Sequence, residues 1–138
     1  MKSAQILTLV LRIFLALLLS WAGYLKLSSA EVEIELFTTL GMEPIGRYLI
    51  GALEVAAAIL ILLPQSVVYG AVLSWGLMVG AVIAHLTKIG ITGPSGILFG
   101  AAVLALISST LIIYITRNRI EFLDHMFNSH KSNPHDQP

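Results

Sequence analysis

Four apolar runs of close to 20 residues each decide what this chain can fold into. They cover about Ile6–Leu25, Ile45–Leu63, Val67–Leu86 and Ile97–Thr116. A helix rises about 1.5 Å per residue, so roughly 20 residues cross the ~30 Å hydrocarbon core of a bilayer. Strands are excluded on the same ground: four cannot close a barrel, and an open edge strands unpaired backbone groups in lipid. The surface available to the chain agrees. Only 12% of its residues are charged, against roughly 25% in an ordinary soluble domain. The expected fold is therefore all-α: a polytopic membrane protein, a four-transmembrane-helix bundle forming one domain over 1–127. A polar, disordered tail is expected over 128–138.

Lys2 followed by an apolar stretch has the outline of a cleaved signal peptide. The run is longer than such a segment needs, Arg12 interrupts it, and three more spans follow, so it is read as a retained helix. Between the first two spans, Ser28-x-x-Glu31 fits a capping box. Val32, Leu36, Phe37 and Leu40 then form an apolar stripe with Glu31, Glu35 and Thr39 opposite. This segment is expected to be a short interfacial helix in the first loop, although Ile34 breaks the stripe and the alternation Glu-Val-Glu-Ile-Glu over 31–35 equally suits a strand. Gly41 should end it and Pro44 should open the second span. Pro64-Gln65-Ser66 predicts a tight hairpin, and Gly93-Pro94 marks a longer turn over 88–96. Residues Ile120–Phe127 suit a further amphipathic turn or two.

An even number of spans places both termini on one side of the membrane. That side carries Lys2, Arg117 and Arg119; the other carries Lys26, Arg47 and Lys88, which is close to a tie. Arg12 lies nearer the N-terminal end of its helix and snorkels that way, which favours cytoplasmic termini.

Ionisable groups at bilayer depth cost about 2.5–3.5 kcal/mol on insertion scales, so each needs a reason. The spans hold Arg12, Lys26, Arg47, Glu54 and His85, with Lys88 just beyond. At 100° per residue, Arg12, Ala16, Leu19, Gly23 and Lys26 share one stripe, and Arg47, Gly51, Glu54 and Ala58 another. Gly70, Ser74, Ala81 and His85 form a third, and Gly76-x-x-x-Gly80 offers a close-packing face of the small-residue kind. From the helical rise, Glu54 lies roughly 10–14 Å below the loop-side surface, and Lys26 and His85 about 2–5 Å below it. Lys26 reaching down to Glu54 is the expected ion pair, with His85 as its neighbour. Arg12 falls at the depth of Ser108 and Ser109, its expected partners. Two readings of the cluster stand side by side: a buried pair that locks helix registry, and a pocket for a ligand or proton.

The same residues carry a family resemblance. Gly23-Tyr24-Leu25-Lys26-Leu27, Phe37-x-x-Leu40-Gly41, Tyr48-Leu49-Ile50-Gly51-Ala52-Leu53-Glu54 and Gly80-Ala81-x-x-Ala84-His85-Leu86 together resemble the DoxX-like family. The resemblance covers about Arg12 to Leu86. It implies a small prokaryotic membrane protein in the plasma membrane, with Lys26, Gly51, Glu54 and His85 as motif positions. It also implies a possible link to quinone-dependent oxidoreductases, as subunit or partner.

Residue chemistry narrows the function. The chain has no cysteine, which rules out thiolate, disulfide and iron–sulfur chemistry of its own. His85 is the one histidine in the spans, too few for a haem held by two axial histidines. No intrinsic cofactor and no metal site are expected, so electron transfer would use a bound quinone or a partner's cofactor. Zero net charge argues against nucleic acid. Three classes of function remain: a membrane subunit or partner of a redox protein, an assembly or anchoring protein using its small-residue faces, and a small transporter. The lipid bilayer is the certain partner, and a homo-oligomer is compatible with the glycine faces.

Overall fold

A computed structural model describes residues 2–129, with side chains for residues 3–117. Its elements are α1 (Lys2–Leu27), α2 (Glu31–Leu40), α3 (Ile45–Leu62), α4 (Val67–Ala84) and α5 (Pro94–Ser129). A π-helical turn, His85–Ile89, prolongs α4. Four of these helices are long and apolar enough to cross a membrane: Ser3–Leu27, Ile45–Leu62, Val67–Ile89 and Pro94–Arg117. α2 lies in the first loop, as its stripe predicts. α1 packs on α3, α3 on α4, α4 on α5, and α5 returns to α1, which closes the ring.

The core runs along the ring's axis through Leu15, Leu19, Ala57, Ile61, Ala71, Ala105 and Ile112. Ile6, Leu17, Tyr69, Ile97 and Tyr114 point outward and are more than half exposed. An exterior of that kind suits lipid, where apolar side chains have nothing to gain by hiding and packing is left to close van der Waals contact. Such contact is tightest in the α3–α4 hairpin. A Cβ on Gly70 would sit 2.7 Å from the Ile61 nitrogen and 2.8 Å from Leu60 Cβ, so only glycine lets these helices meet at their turn. Ser66 Oγ donates to the Leu60 carbonyl across the same turn (3.0 Å).

Helix ends depart from the sequence reading in three places. The Ser28-x-x-Glu31 capping box does not form: Ala30 is the N-cap of α2 and makes no side-chain cap. Glu31 is thus the first helical residue and not the third, which a capping box requires. Ser28 is spent on α1, its amide donating to the Tyr24 carbonyl (2.8 Å) and its hydroxyl to the Leu25 carbonyl (3.3 Å). Pro94 opens α5 in place of sitting in a turn, a position where its missing N–H costs nothing. α5 then continues through Ser129, so the amphipathic segment expected at Ile120–Phe127 belongs to the same helix as the fourth span. Residues 130–138 of the expected tail lie outside the described residues. Gly41 does end α2, with φ 72°, its amide and that of Met42 closing on the Thr38 and Phe37 carbonyls (3.0 and 2.8 Å).

Candidate functional site: a polar cluster at the wall of an apolar cavity

Two glycines create the site. A Cβ on Gly23 would meet Gly51 O at 2.9 Å, and one on Gly51 would meet Lys26 Cβ at 2.9 Å. The backbones of α1 and α3 therefore touch at Gly23 and Gly51, which sit one turn from Lys26 and Glu54. That approach brings Lys26 Nζ to 3.2 Å from Glu54 Oε2. The pair expected from the stripes and their depths is present. It is a contact of charges more than a hydrogen bond: Nζ lies out of line, and Glu54 Oε2 has no hydrogen-bond donor among the described residues.

Lys26 is aligned instead on a residue the sequence reading placed outside the site. Its Nζ donates to Glu33 Oε1 at 3.2 Å, and Glu33 is 2% exposed, as buried as Glu54. The alternation Glu-Val-Glu-Ile-Glu over 31–35 suits a strand as well as a helix, and the apolar stripe drawn through Val32 left Glu33 off it. A signal was there. Glu33, Leu36, Phe37 and Leu40 follow the i, i+3, i+4, i+7 pattern, and Glu33, Leu36 and Phe37 are the buried residues of α2. α2 thus lays Glu33 over the ends of α1 and α3, and one ammonium bridges three helices.

His85 comes from the fourth wall. It is 5% exposed, and its ring meets Phe99 of α5 with centroids 5.7 Å apart. The π-helical turn closes through the Gly90 amide, which donates to the His85 carbonyl (2.8 Å). His85 Nδ1 lies 3.1 Å from the Gly90 carbonyl. A carbonyl only accepts, so Nδ1 carries the proton of that bond and fixes the tautomer of the neutral ring.

Lys26, Glu33, Glu54 and His85 all line one cavity of about 340 Å³. Apart from backbone and the indole N–H of Trp21, the rest of its wall is apolar: Leu18, Leu19 and Ala22 from α1, Leu36 and Phe37 from α2, and Met78, Ala81, Ala102 and Ala105 from α4 and α5. Gly76 and Gly80 belong to this wall too. A Cβ on either would meet nothing within 4 Å, so this pair does not form the close helix-packing face expected of it; it leaves room in front of α4. A volume in this range, apolar with a few polar groups gathered at one place, is what small-molecule sites have in common.

Three further charged residues fall elsewhere. Arg47, 2% exposed, grips Glu43 with both carboxylate oxygens (2.7–3.0 Å) and donates from Nη1 to the Lys26 carbonyl and to Ser29 Oγ (3.1 Å). It fastens the start of α3 to the end of α1 behind the cavity. The hydrogen bonds from Arg47 hold the Glu43 carboxyl below its ordinary range, its partial burial working the other way. Arg12 is not satisfied by Ser108 and Ser109. Its Nε and Nη2 donate to the Ile61 and Leu62 carbonyls (2.8 and 2.7 Å) at the C-terminal end of α3. Those carbonyls have no partner inside their own helix, so a cation is favoured there. Ser108 and Ser109 donate back to Leu104 and Ala105 of α5. Lys88 is exposed and takes no part in the cluster.

The DoxX-like family model matches residues 10–110, almost three-quarters of the chain. The chain belongs to the DoxX-like family. The match reaches beyond the motifs of the first three spans into α5, and so includes Ala101, Ala102 and Ala105 of the cavity wall. No curated protein and no solved structure is significantly similar to it. In this DoxX-like protein the motif positions are therefore explained by geometry: Gly51 permits the approach of α1 and α3, and Lys26, Glu54 and His85 line the space that results.

Proposed function

We propose that this DoxX-like protein is a membrane subunit that holds a small amphiphilic molecule of the quinone class for a redox partner. One observation carries the reading: an apolar cavity of about 340 Å³ with its ionisable residues collected on the α1–α2–α3 wall and at His85. Groups that costly at membrane depth are kept where they meet a substrate, an ion or each other. Here they meet each other and a void large enough for a ring and the start of a tail. A quinone would supply two-electron, two-proton redox chemistry. The residues of the chain supply the rest: Lys26 offers N–H donors, Glu33 and Glu54 accept, and the apolar wall receives the ring and tail. The location proposed is the plasma membrane, with both termini in the cytoplasm and the cavity in the outward half.

Native mass spectrometry of gently extracted protein tests the ligand. A bound mass matching a quinone, lost in Gly80→Leu, is expected, since the added side chain starts in open space in front of α4, with no atom within 4 Å of its Cβ. Protein that carries only phospholipid in both forms would refute the reading. Orientation is tested with single cysteines at Glu35, Gln65 and Thr92, all exposed, in a chain with no native cysteine. An impermeant thiol reagent should label the first and third in intact cells and not the second; the reverse pattern would invert the topology.

A second reading has its own observation. Lys26 joins α1, α2 and α3 through two carboxylates, which suits a pure registry lock in an assembly or anchoring protein. Under that reading Gly80→Leu leaves the cellular function intact.

A further inference from the structure

Acceptors outnumber donors at the polar wall of the cavity. Glu33 and Glu54 are each 2% exposed, and Lys26 is shared between them at 3.2 Å from each. His85 spends its Nδ1 proton on the Gly90 carbonyl, so that N–H is not offered to the cavity. Two carboxylates against one ammonium leave an excess of acceptors in a region from which water is largely excluded, and unpaired buried acceptors are costly. The deficit is visible at one atom, Glu54 Oε2, buried and without an aligned donor among the described residues.

A ligand carbonyl does not relieve this deficit. It is another acceptor, and it competes with Glu33 and Glu54 for the N–H groups of Lys26. A ligand hydroxyl does relieve it, because the O–H donates to the carboxylate and its ring occupies the apolar wall. From this geometry we infer that the cavity selects molecules whose polar end donates a hydrogen bond, of the hydroquinone or alkylphenol class, over the same skeleton ending in a carbonyl or an ether. The inference rests on the cavity being an amphiphile site and narrows that reading to the hydroxyl form of the ligand.

Three probes with one short alkyl tail test it: a hydroquinone, its quinone, and its dimethyl ether. Binding to the full chain in nanodiscs is measured by equilibrium dialysis, with bound probe quantified by mass spectrometry. A hydrogen bond to a charged acceptor predicts that the hydroquinone binds about tenfold or more tightly than either of the others. Glu54→Gln brings a donor of its own and takes one acceptor away, so it should narrow the preference to about threefold or reverse it toward the quinone. Glu33→Gln takes one acceptor from the other side and carries the test if Glu54→Gln does not fold. Equal binding of the three probes, or tighter binding of the quinone, overturns the inference and leaves the ligand site standing. A preference that survives both substitutions overturns its assignment to this cluster. Absence of saturable binding by all three overturns the ligand site as well.

Discussion

The two ends of the bundle are built from the same helices and packed by opposite rules. At the hairpin end, Gly70 lies against the backbone of α3 with no space for a Cβ, and Arg12 occupies the last carbonyls of that helix. At the loop end, Gly76 and Gly80 face open space, and four ionisable residues line one cavity, two of them carboxylates that share the Lys26 ammonium. A glycine in a membrane helix is commonly read as a packing residue. In this chain the same residue type closes one end and opens the other, and only the neighbour across the gap tells which. The closed end holds the helices in place so that the open end can keep a void, which an unsupported bundle would collapse into.

The largest effect that tests this contrast comes from Lys26→Met. It leaves Glu33 and Glu54 buried at 2% exposure with no cation between them, and breaking a buried pair by removing one partner costs about 3–5 kcal/mol. Thermal unfolding in detergent should show the loss. Glu54→Gln should cost less, because Lys26 keeps Glu33. The double substitution should recover only part of the Lys26→Met loss, since Glu33 remains stranded; full recovery would show that Glu33 is not a member of the cluster.

Next in size is the glycine contrast itself. Gly51→Ala and Gly70→Ala force a methyl into contacts at 2.9 and 2.7 Å, and overpacking of that kind costs about 1–3 kcal/mol. Gly76→Ala and Gly80→Ala meet no atom within 4 Å and should leave stability unchanged or raise it by up to about 1 kcal/mol through helix propensity. Equal losses at all four positions, read by the same thermal melts, would erase the distinction between a closed and an open end.

What the sequence made legible follows from which forces have a period. Span count, the helical stripes and the Lys26–Glu54 pair were readable because lipid imposes length and the helix imposes spacing. The family motifs pointed to the same residues, His85 included. Glu33 escaped because the stripe was drawn through Val32 and the alternation around it suits a strand as well, although its spacing to Leu36, Phe37 and Leu40 was there to be read. Arg12 was given the wrong partners for a different reason. An inventory of polar side chains cannot show backbone carbonyls left over at a helix end, and those are what it binds. Gly76 and Gly80 carry the spacing of a packing motif, and spacing says nothing of whether a second helix is in reach.

Arg12 offers a test confined to the closed end. Arg12→Leu removes two hydrogen bonds to the carbonyls of Ile61 and Leu62 and the favourable charge at the C-terminal end of α3, about 1–2 kcal/mol together. Thermal stability should fall by that order while probe binding at the cavity, whose Lys26 and Glu54 lie two turns or more away along α1 and α3, keeps its affinity. A binding loss as large as the stability loss would show that the two ends are one mechanical unit.

The smallest effect belongs to the clamp at the rim, and it has a pH signature. Glu43 accepts three hydrogen-bond contacts from Arg47 (2.7–3.0 Å), and these hold its carboxyl below the ordinary value of 4.5. A carboxyl whose pKa is lower in the folded state stabilises the fold when ionised. Its contribution is therefore complete above the unfolded value and disappears as pH falls through the lowered folded one. Glu43→Gln should accordingly melt slightly below the parent at neutral pH, by a difference that stays constant down to about pH 5.5 and shrinks as the pH drops below 4.5. Lys26→Met gives the reference for comparison at neutral pH, where its loss should far exceed that of Glu43→Gln, because the rim clamp is partly exposed and the cluster is not. A Glu43→Gln loss that matched Lys26→Met would move the main anchor of the loop end from the cavity wall to the α1–α3 rim.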